Sequence, residues 1–139
     1  MNTKKRLSLF FIATGLVGCA TFGQLEAGLN ALVGRPEQDA FSALGYPSGQ
    51  QQFAGDKVYV WGQSRNATMF MPQTSTTTGY VGTTPVYGST TSMQAIPMNF
   101  NCTIKVIVDG GGTIKTWEYD GNMGGCKPYI DRLNSYFKR

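Results

Sequence analysis

Cys102-Thr103-Ile104-Lys105-Val106-Ile107-Val108, then Asp109-Gly110-Gly111-Gly112, then Thr113-Ile114-Lys115-Thr116-Trp117-Glu118-Tyr119, is the stretch on which the fold turns. The first run alternates. Cys102, Ile104, Val106 and Val108 share one face, and Thr103, Lys105 and Ile107 share the other. A period of two with β-branched residues is the mark of a strand that is buried on one side. The glycine-rich tetrapeptide then lets the chain reverse, and the third run returns with Trp117 and Tyr119 on one side. Two such runs about a glycine turn predict an antiparallel hairpin.

On the C-terminal side, Asp120-Gly121-Asn122 ends the second strand, and Pro128 is expected to open a last helix with Tyr129, Ile130, Leu133 and Phe137 along one stripe. Lys138 and Arg139 suit its negative end. On the N-terminal side, Lys57-Val58-Tyr59-Val60-Trp61 predicts a third strand, with Val58 and Val60 on one side and Tyr59 and Trp61 on the other. Before it lie a turn-rich connection at 46–52 and two short helices. Leu25, Leu29 and Leu32 with Gly34 just beyond mark the first helix; Pro36, Glu37 and Asp39, then Ala40, Phe41 and Leu44, ended by Gly45 and Pro47, mark the second. The expected fold is α+β: two N-terminal helices packed on a three-stranded antiparallel sheet, a long insert between strands 1 and 2, and a C-terminal helix.

The insert is residues 62–98. Of its 37 residues, 24 are Gly, Ser, Thr, Asn, Gln or Pro, so it can bury little, and Arg65 is its single charge. Residues 78–90 read nearly the same in both directions, with Met69, Phe70 and Met71 before them and Met93, Ile96 and Met98 after. A stretch this long without structure is uncommon unless functional or disordered. It reads either as a hairpin arm with a flexible tip or as a disordered loop.

The chain opens with Met1-Asn2-Thr3-Lys4-Lys5-Arg6, three cations and no acid, and continues with an uncharged run from Leu7 to Val17. About ten apolar residues suit a secretory h-region, whereas a spanning helix needs roughly 20. Leu16-Val17-Gly18-Cys19 closes that run. The quartet resembles the bacterial lipobox. The resemblance implies cleavage after residue 18, diacylglycerol on the thiol of Cys19, an acylated amine, and a lipidated tether over 19–24 leading into one domain at 25–139. Each buried CH₂ contributes roughly 0.8 kcal/mol, so two or more acyl chains hold a protein on a bilayer. Ala20 in place of Asp favours outer-membrane sorting by the same resemblance, with the protein facing the periplasm.

Without residues 1–18, nine cations and eight acids remain, a net charge of +1. The basic character belongs mostly to the signal, and no nucleic-acid partner is expected. With Cys19 acylated, Cys102 and Cys126 remain, and an even pair in an oxidising periplasm reads as a disulfide, with two free thiols as the alternative. No metal site is expected, because histidine is absent and two thiolates are too few. No cofactor is expected beyond the covalent lipid.

Gly34, a short helix, Leu44-Gly45-Tyr46-Pro47, and a strand carrying Tyr59 and Trp61 together resemble the SmpA/OmlA family of small outer-membrane lipoproteins, whose best-known members assist assembly of β-barrels. The resemblance covers about a third of the mature chain and implies two helices on a three-stranded antiparallel sheet. The 62–98 insert, the cysteine pair and the terminal helix lie outside its pattern.

Chemistry is sparse. Without histidine there is no Ser–His or Cys–His pair. Gly110-Gly111-Gly112 joins two strands, so no helix N-terminus aims at an anion there. Asp109, Glu118 and Asp120 at strand ends are the conceivable carboxylates of a small envelope hydrolase, and turn formation explains them more simply. The sequons at Asn66 and Asn101 are read as chance.

Tyr59, Trp61, Trp117 and Tyr119 are expected on the sheet face opposite the aliphatic one, as a patch for a protein, peptide or glycan; packing under the last helix or the insert is the alternative. Tyr80 and Tyr87 are a second candidate contact at the insert tip. The expected function is a non-catalytic protein-binding or envelope-assembly module on the membrane. The alternatives are a surface-exposed inhibitor or adhesive module using the 62–98 arm, or the carboxylate hydrolase. The oligomeric state stays open.

Overall fold

A computed structural model describes residues 19–138. The signal segment expected at 1–18, and Arg139, lie outside the described residues. The element order is α1 (Phe22–Leu32), α2 (Glu37–Leu44), β1 (Gly49–Phe53), β2 (Asp56–Val81), β3 (Thr84–Val108), β4 (Ile114–Gly121) and α3 (Met123–Phe137). The strands form one antiparallel sheet in the order β1-β2-β3-β4. The class is α+β, with four strands where three were expected.

The additional strand is β1. It sits in the stretch read as a turn-rich connection because Gly49-Gln50-Gln51-Gln52 lacks alternation, and it pairs from Gly49↔Val60 to Phe53↔Asp56. Ala54 and Gly55 both take positive φ, 50° and 89°. That is the two-residue turn whose twist matches the strands it joins, here without the usual Asn or Asp.

Helix α1 begins at Phe22, inside the segment expected to be a tether over 19–24. Thr21 and Gln24 form a reciprocal capping box, the Thr21 hydroxyl accepting from the Gln24 N–H and the Gln24 side chain accepting from the Thr21 N–H. Helix α3 starts five residues before Pro128, with the Asn122 side chain accepting from the Gly125 N–H. Pro128 thus lies inside the helix rather than opening it.

One face of the sheet carries the core. Leu25, Leu29 and Leu32 of α1, Ala40, Ala43 and Leu44 of α2, and Cys126, Tyr129, Ile130 and Leu133 of α3 pack on Cys102, Ile104, Val106, Val108 and Ile114 of the sheet. Gly28 sets the distance between α1 and α3, since a Cβ there would stand 2.9 Å from Leu133 Cβ. The turn between β3 and β4 is held by Asp109, whose Oδ1 accepts from the backbone of Gly111 and Thr113, both at 2.9 Å.

The insert is the hairpin arm rather than the disordered loop, and its pairing continues to the tip. It is a continuous two-stranded ribbon, paired from Gln63↔Cys102 to Val81↔Thr84. Thr-rich rungs such as Thr74↔Thr91 and Ser75↔Thr90 build its middle, where β-branched residues suit the pleat. Gly82, at φ 65°, starts the two-residue turn at the tip. The near-palindrome does not set the register: Tyr80 meets Pro85 and Thr78 meets Tyr87, so like does not face like.

Candidate functional site

Residues directly opposite on paired strands share a face. Tyr59 pairs with Val106 and Trp61 with Ile104; Trp117 pairs with Val106 and Tyr119 with Ile104. All four aromatics therefore lie on the aliphatic face, not opposite it, and the expected exposed aromatic patch is not formed. Helix α1 packs on Trp117 and Tyr119, and helix α2 on Tyr59 and Trp61. Phe41 of α2 meets the Tyr59 ring edge-on at 4.9 Å and the Trp61 ring at 6.3 Å. Phe22 of α1 stacks on Tyr119 at 5.5 Å.

Their polar atoms are committed to the helices as well. Trp61 Nε1 donates to Gly45 O at 2.8 Å, Trp117 Nε1 to Asn30 Oδ1 at 3.0 Å, and Tyr119 Oη to Glu26 Oε1 at 2.8 Å. Tyr59 Oη donates to Glu37 Oε2 at 2.9 Å, and Lys57 Nζ approaches the same carboxylate at 3.4 Å. Burial, then the Glu37 contact, push the Tyr59 hydroxyl above its ordinary value near 10. The hydrogen bond to Glu37 raises Lys57. The hydrogen bond to Asp56 raises Lys115, that to Glu26 raises Tyr119, and burial raises Tyr129.

These raised values fix a sign. The folded chain holds the five protons more tightly than the unfolded chain, so their contribution is intact below about pH 10 and is lost as pH rises through the folded values. In urea titrations the midpoint falls once pH passes about 10. Tyr59→Phe starts lower by about 1 kcal/mol, the net worth of its hydrogen bond, and falls less steeply above pH 10. Identical slopes for the two proteins would remove Tyr59 from this account.

The three carboxylates do not converge. Asp109 is engaged by its own turn at one end of β3. Asp120 pairs with Thr103, five residues along β3 from Val108 and so about 17 Å away along the sheet. Glu118 is exposed and lies 3.9 Å from Lys105. A hollow of about 450 Å³ opens between α2 and α3, where Arg132 donates to Leu44 O at 2.7 Å. Among the described residues no cluster of His, Cys, Asp or Glu could hold a metal ion, and no helix is long and apolar enough to cross a membrane.

The feature that stands out is the arm. β1 covers β2 only as far as Val60, and β4 covers β3 only as far as Cys102. From Ser64 to Val81 the ribbon is two strands wide, eighteen rungs long, and about 60 Å at roughly 3.3 Å per residue. Strands are usually 3–10 residues long, and an isolated two-stranded hairpin is marginal in water. Apolar side chains are nevertheless held in solvent on both faces. Phe70 and Met93 are 65% and 69% exposed; Met69 and Met71 point the other way at 42% each; Tyr80 and Tyr87 near the tip are 77% and 76% exposed.

The root of the arm is clamped by the start of α3. Cys102 and Cys126 are joined by a disulfide. Asn122 Nδ2 donates to Asn99 O at 2.7 Å and Asn101 Oδ1 at 2.9 Å, the Asn122 N–H donates to Asn101 O, and Gln63 Nε2 donates to Gly125 O. Arg65 lies over the Phe100 ring at 5.1 Å. Glycine makes the approach possible: a Cβ on Gly125 would stand 2.2 Å from Asn101 O. Gly125→Ala is expected to shift α3 off β3 and cost about 2–3 kcal/mol, as overpacking of a closed site does. Thermal unfolding of the purified variant measures it. A loss below about 0.5 kcal/mol would mean that the root is loosely packed.

Cys19 stands at the same pole. Its thiol is free and exposed. Phe22, three residues on, stacks on Tyr119 near the Gly121 end of β4, which is the end that pairs with Cys102. The other end of α1 meets the far end of the strand, where the Gly34 N–H donates to Ile114 O at 2.8 Å. Three residues span at most about 10 Å, so Cys19 and the arm lie at the same end of the sheet. No known family profile matches the chain, and neither curated proteins nor solved structures resemble it at a significant level.

Proposed function

We propose that the protein is a lipid-anchored, non-catalytic module of the outer membrane, facing the periplasm, that uses its β-arm to dock an envelope partner at the membrane. The observation that carries this is the shared pole: the acylation candidate Cys19 and the root of the arm leave the same end of the sheet. Acyl chains on Cys19 turn that end toward the bilayer and bring the arm with it. The arm then presents Met69, Phe70, Met71, Met93 and the tip tyrosines to whatever lies at or in the membrane. The likeness of Gly34 through Trp61 to the SmpA/OmlA lipoproteins supports an envelope-assembly role.

The test removes the arm without touching its root. Ala67↔Met98 has the same parity in the ladder as Val81↔Thr84, the pair that closes the natural tip. A two-residue turn therefore fits there, and Asn-Gly can replace residues 68–97. The shortened protein is expected to keep its acylated amino terminus and its cooperative unfolding while losing at least 90% of partner capture in cell crosslinking. Full capture without the arm would sink the docking role. An unmodified Cys19 would sink the anchoring.

A further inference from the structure

Every backbone group along the outer edges of the arm needs a partner or water. The edges themselves say what kind of partner fits. In an antiparallel pair, residues alternate between those whose N–H points to the other strand and those whose N–H points away. Pro72, Pro85 and Pro97 occupy rungs Pro72↔Met93, Tyr80↔Pro85 and Thr68↔Pro97, all of one parity. Proline has no N–H to give, so this parity is the outward one.

Each proline removes one outward donor and leaves open runs between. On β2 the open run is Thr74, Thr76, Thr78 and Tyr80; on β3 it is Tyr87, Ser89, Thr91, Met93 and Ala95. The two runs stand at the same height, because Thr74↔Thr91, Thr76↔Ser89 and Thr78↔Tyr87 are rungs of one arm. Charge does not oppose an approach between arms, since Arg65 is the only charged residue from 62 to 104.

We infer that the partner of the arm is a second copy of this chain, joined by pairing the β2 edge of one arm with the β3 edge of the next. This rests on the reading that the arm is the docking element. Copies anchored through Cys19 stand in one membrane with arms pointing the same way. In that arrangement a neighbour's β3 runs antiparallel to β2, and the two open runs meet level with one another. The contact is head-to-tail, so each copy retains one free edge until a ring closes. Closure removes the exposed edges and sets the Met and Phe waists of neighbouring arms side by side.

The test uses full-length protein with Cys102 and Cys126 intact, extracted from membranes in mild detergent. Thr76→Cys protein is mixed with Ser89→Cys protein and oxidised with copper phenanthroline. Paired strands place these Cα atoms about 5.5 Å apart, within disulfide reach. The expected result is a crosslink in the mixture at least fivefold above that of either variant alone. Crosslinks within Thr76→Cys protein alone would indicate a two-fold, face-to-face dimer and overturn the head-to-tail pairing. A monomeric mass by light scattering, with no mixed crosslink, would overturn self-association altogether. If the shortened arm still abolishes capture of a different envelope protein, the docking role stands and only the identity of the partner falls.

Discussion

Trp61→Ala lowers folding stability by about 4 kcal/mol. Burying a large aromatic in a closed site and then deleting it costs roughly 3–5 kcal/mol, and Trp61 is 2% exposed. It stands opposite Ile104, close to the root of the arm, with Phe41 beside it. Deletion also leaves Gly45 O without the indole donor that meets it at 2.8 Å. A domain of this size is stable by about 5–15 kcal/mol, so the variant is left with little margin. Trp61→Phe keeps most of the ring volume and loses the hydrogen bond, and its expected cost is about 1–2 kcal/mol. Urea unfolding followed by circular dichroism measures both. Trp117→Ala, at a half-buried ring on the sheet margin, costs less than Trp61→Ala. If the order of the two were reversed, the core would have to be centred on β4 rather than beneath α2.

Trp61 also shows where the sequence stops being legible. Its strand was readable, and so was the alternation of Cys102 to Val108. Whether the two apolar rows face the same way depends on the pairing register, and a one-residue slip sends every side chain to the other face. Register is fixed by the turn that closes the hairpin. Here that turn is Gly82-Thr83, at the far end of an insert whose order was itself in question. The aromatic face could not be assigned until the arm was known to be continuous.

β1 was hidden for a different reason. Its residues are mostly glutamine, and its turn is Ala54-Gly55, so neither propensity nor turn chemistry announced it. The start of α3 was hidden by Gly124 and Gly125, poor helix formers. Those glycines are there because β3 passes too close for any side chain. By contrast, the hairpin at 102–119 and the leucine stripe of α1 were legible, since burial on one face imposes its period directly on the sequence. Of the candidate site, the tip tyrosines and the methionine segments were visible. The clamp at the root was visible only as a pair of cysteines.

That pair gives the other large effect. Replacing both Cys102 and Cys126 with alanine is expected to cost about 3 kcal/mol, because the bridge closes a loop with a sequence separation of 24 and restricts the unfolded chain accordingly. Both residues are fully buried, so reductant acts slowly on the folded protein and the double variant is the cleaner probe. The cost has a local side as well. The bridge ties β3 to α3 where the ribbon leaves the sheet, and the Asn122 and Gln63 hydrogen bonds depend on the same approach. Amide hydrogen exchange at Gln63, Arg65 and Phe100, whose N–H groups face the partner strand at the root, is therefore expected to speed up more in the double variant than exchange in the Leu25–Leu32 helix. Uniform acceleration would mean that the bridge stabilises the whole domain without fixing the root. Selective acceleration would mean that the arm is held at a set angle to the pole carrying Cys19. An arm that must meet its neighbours level with one another needs such a fixed angle, and crosslinking between Thr76→Cys and Ser89→Cys arms should then fall when the bridge is removed.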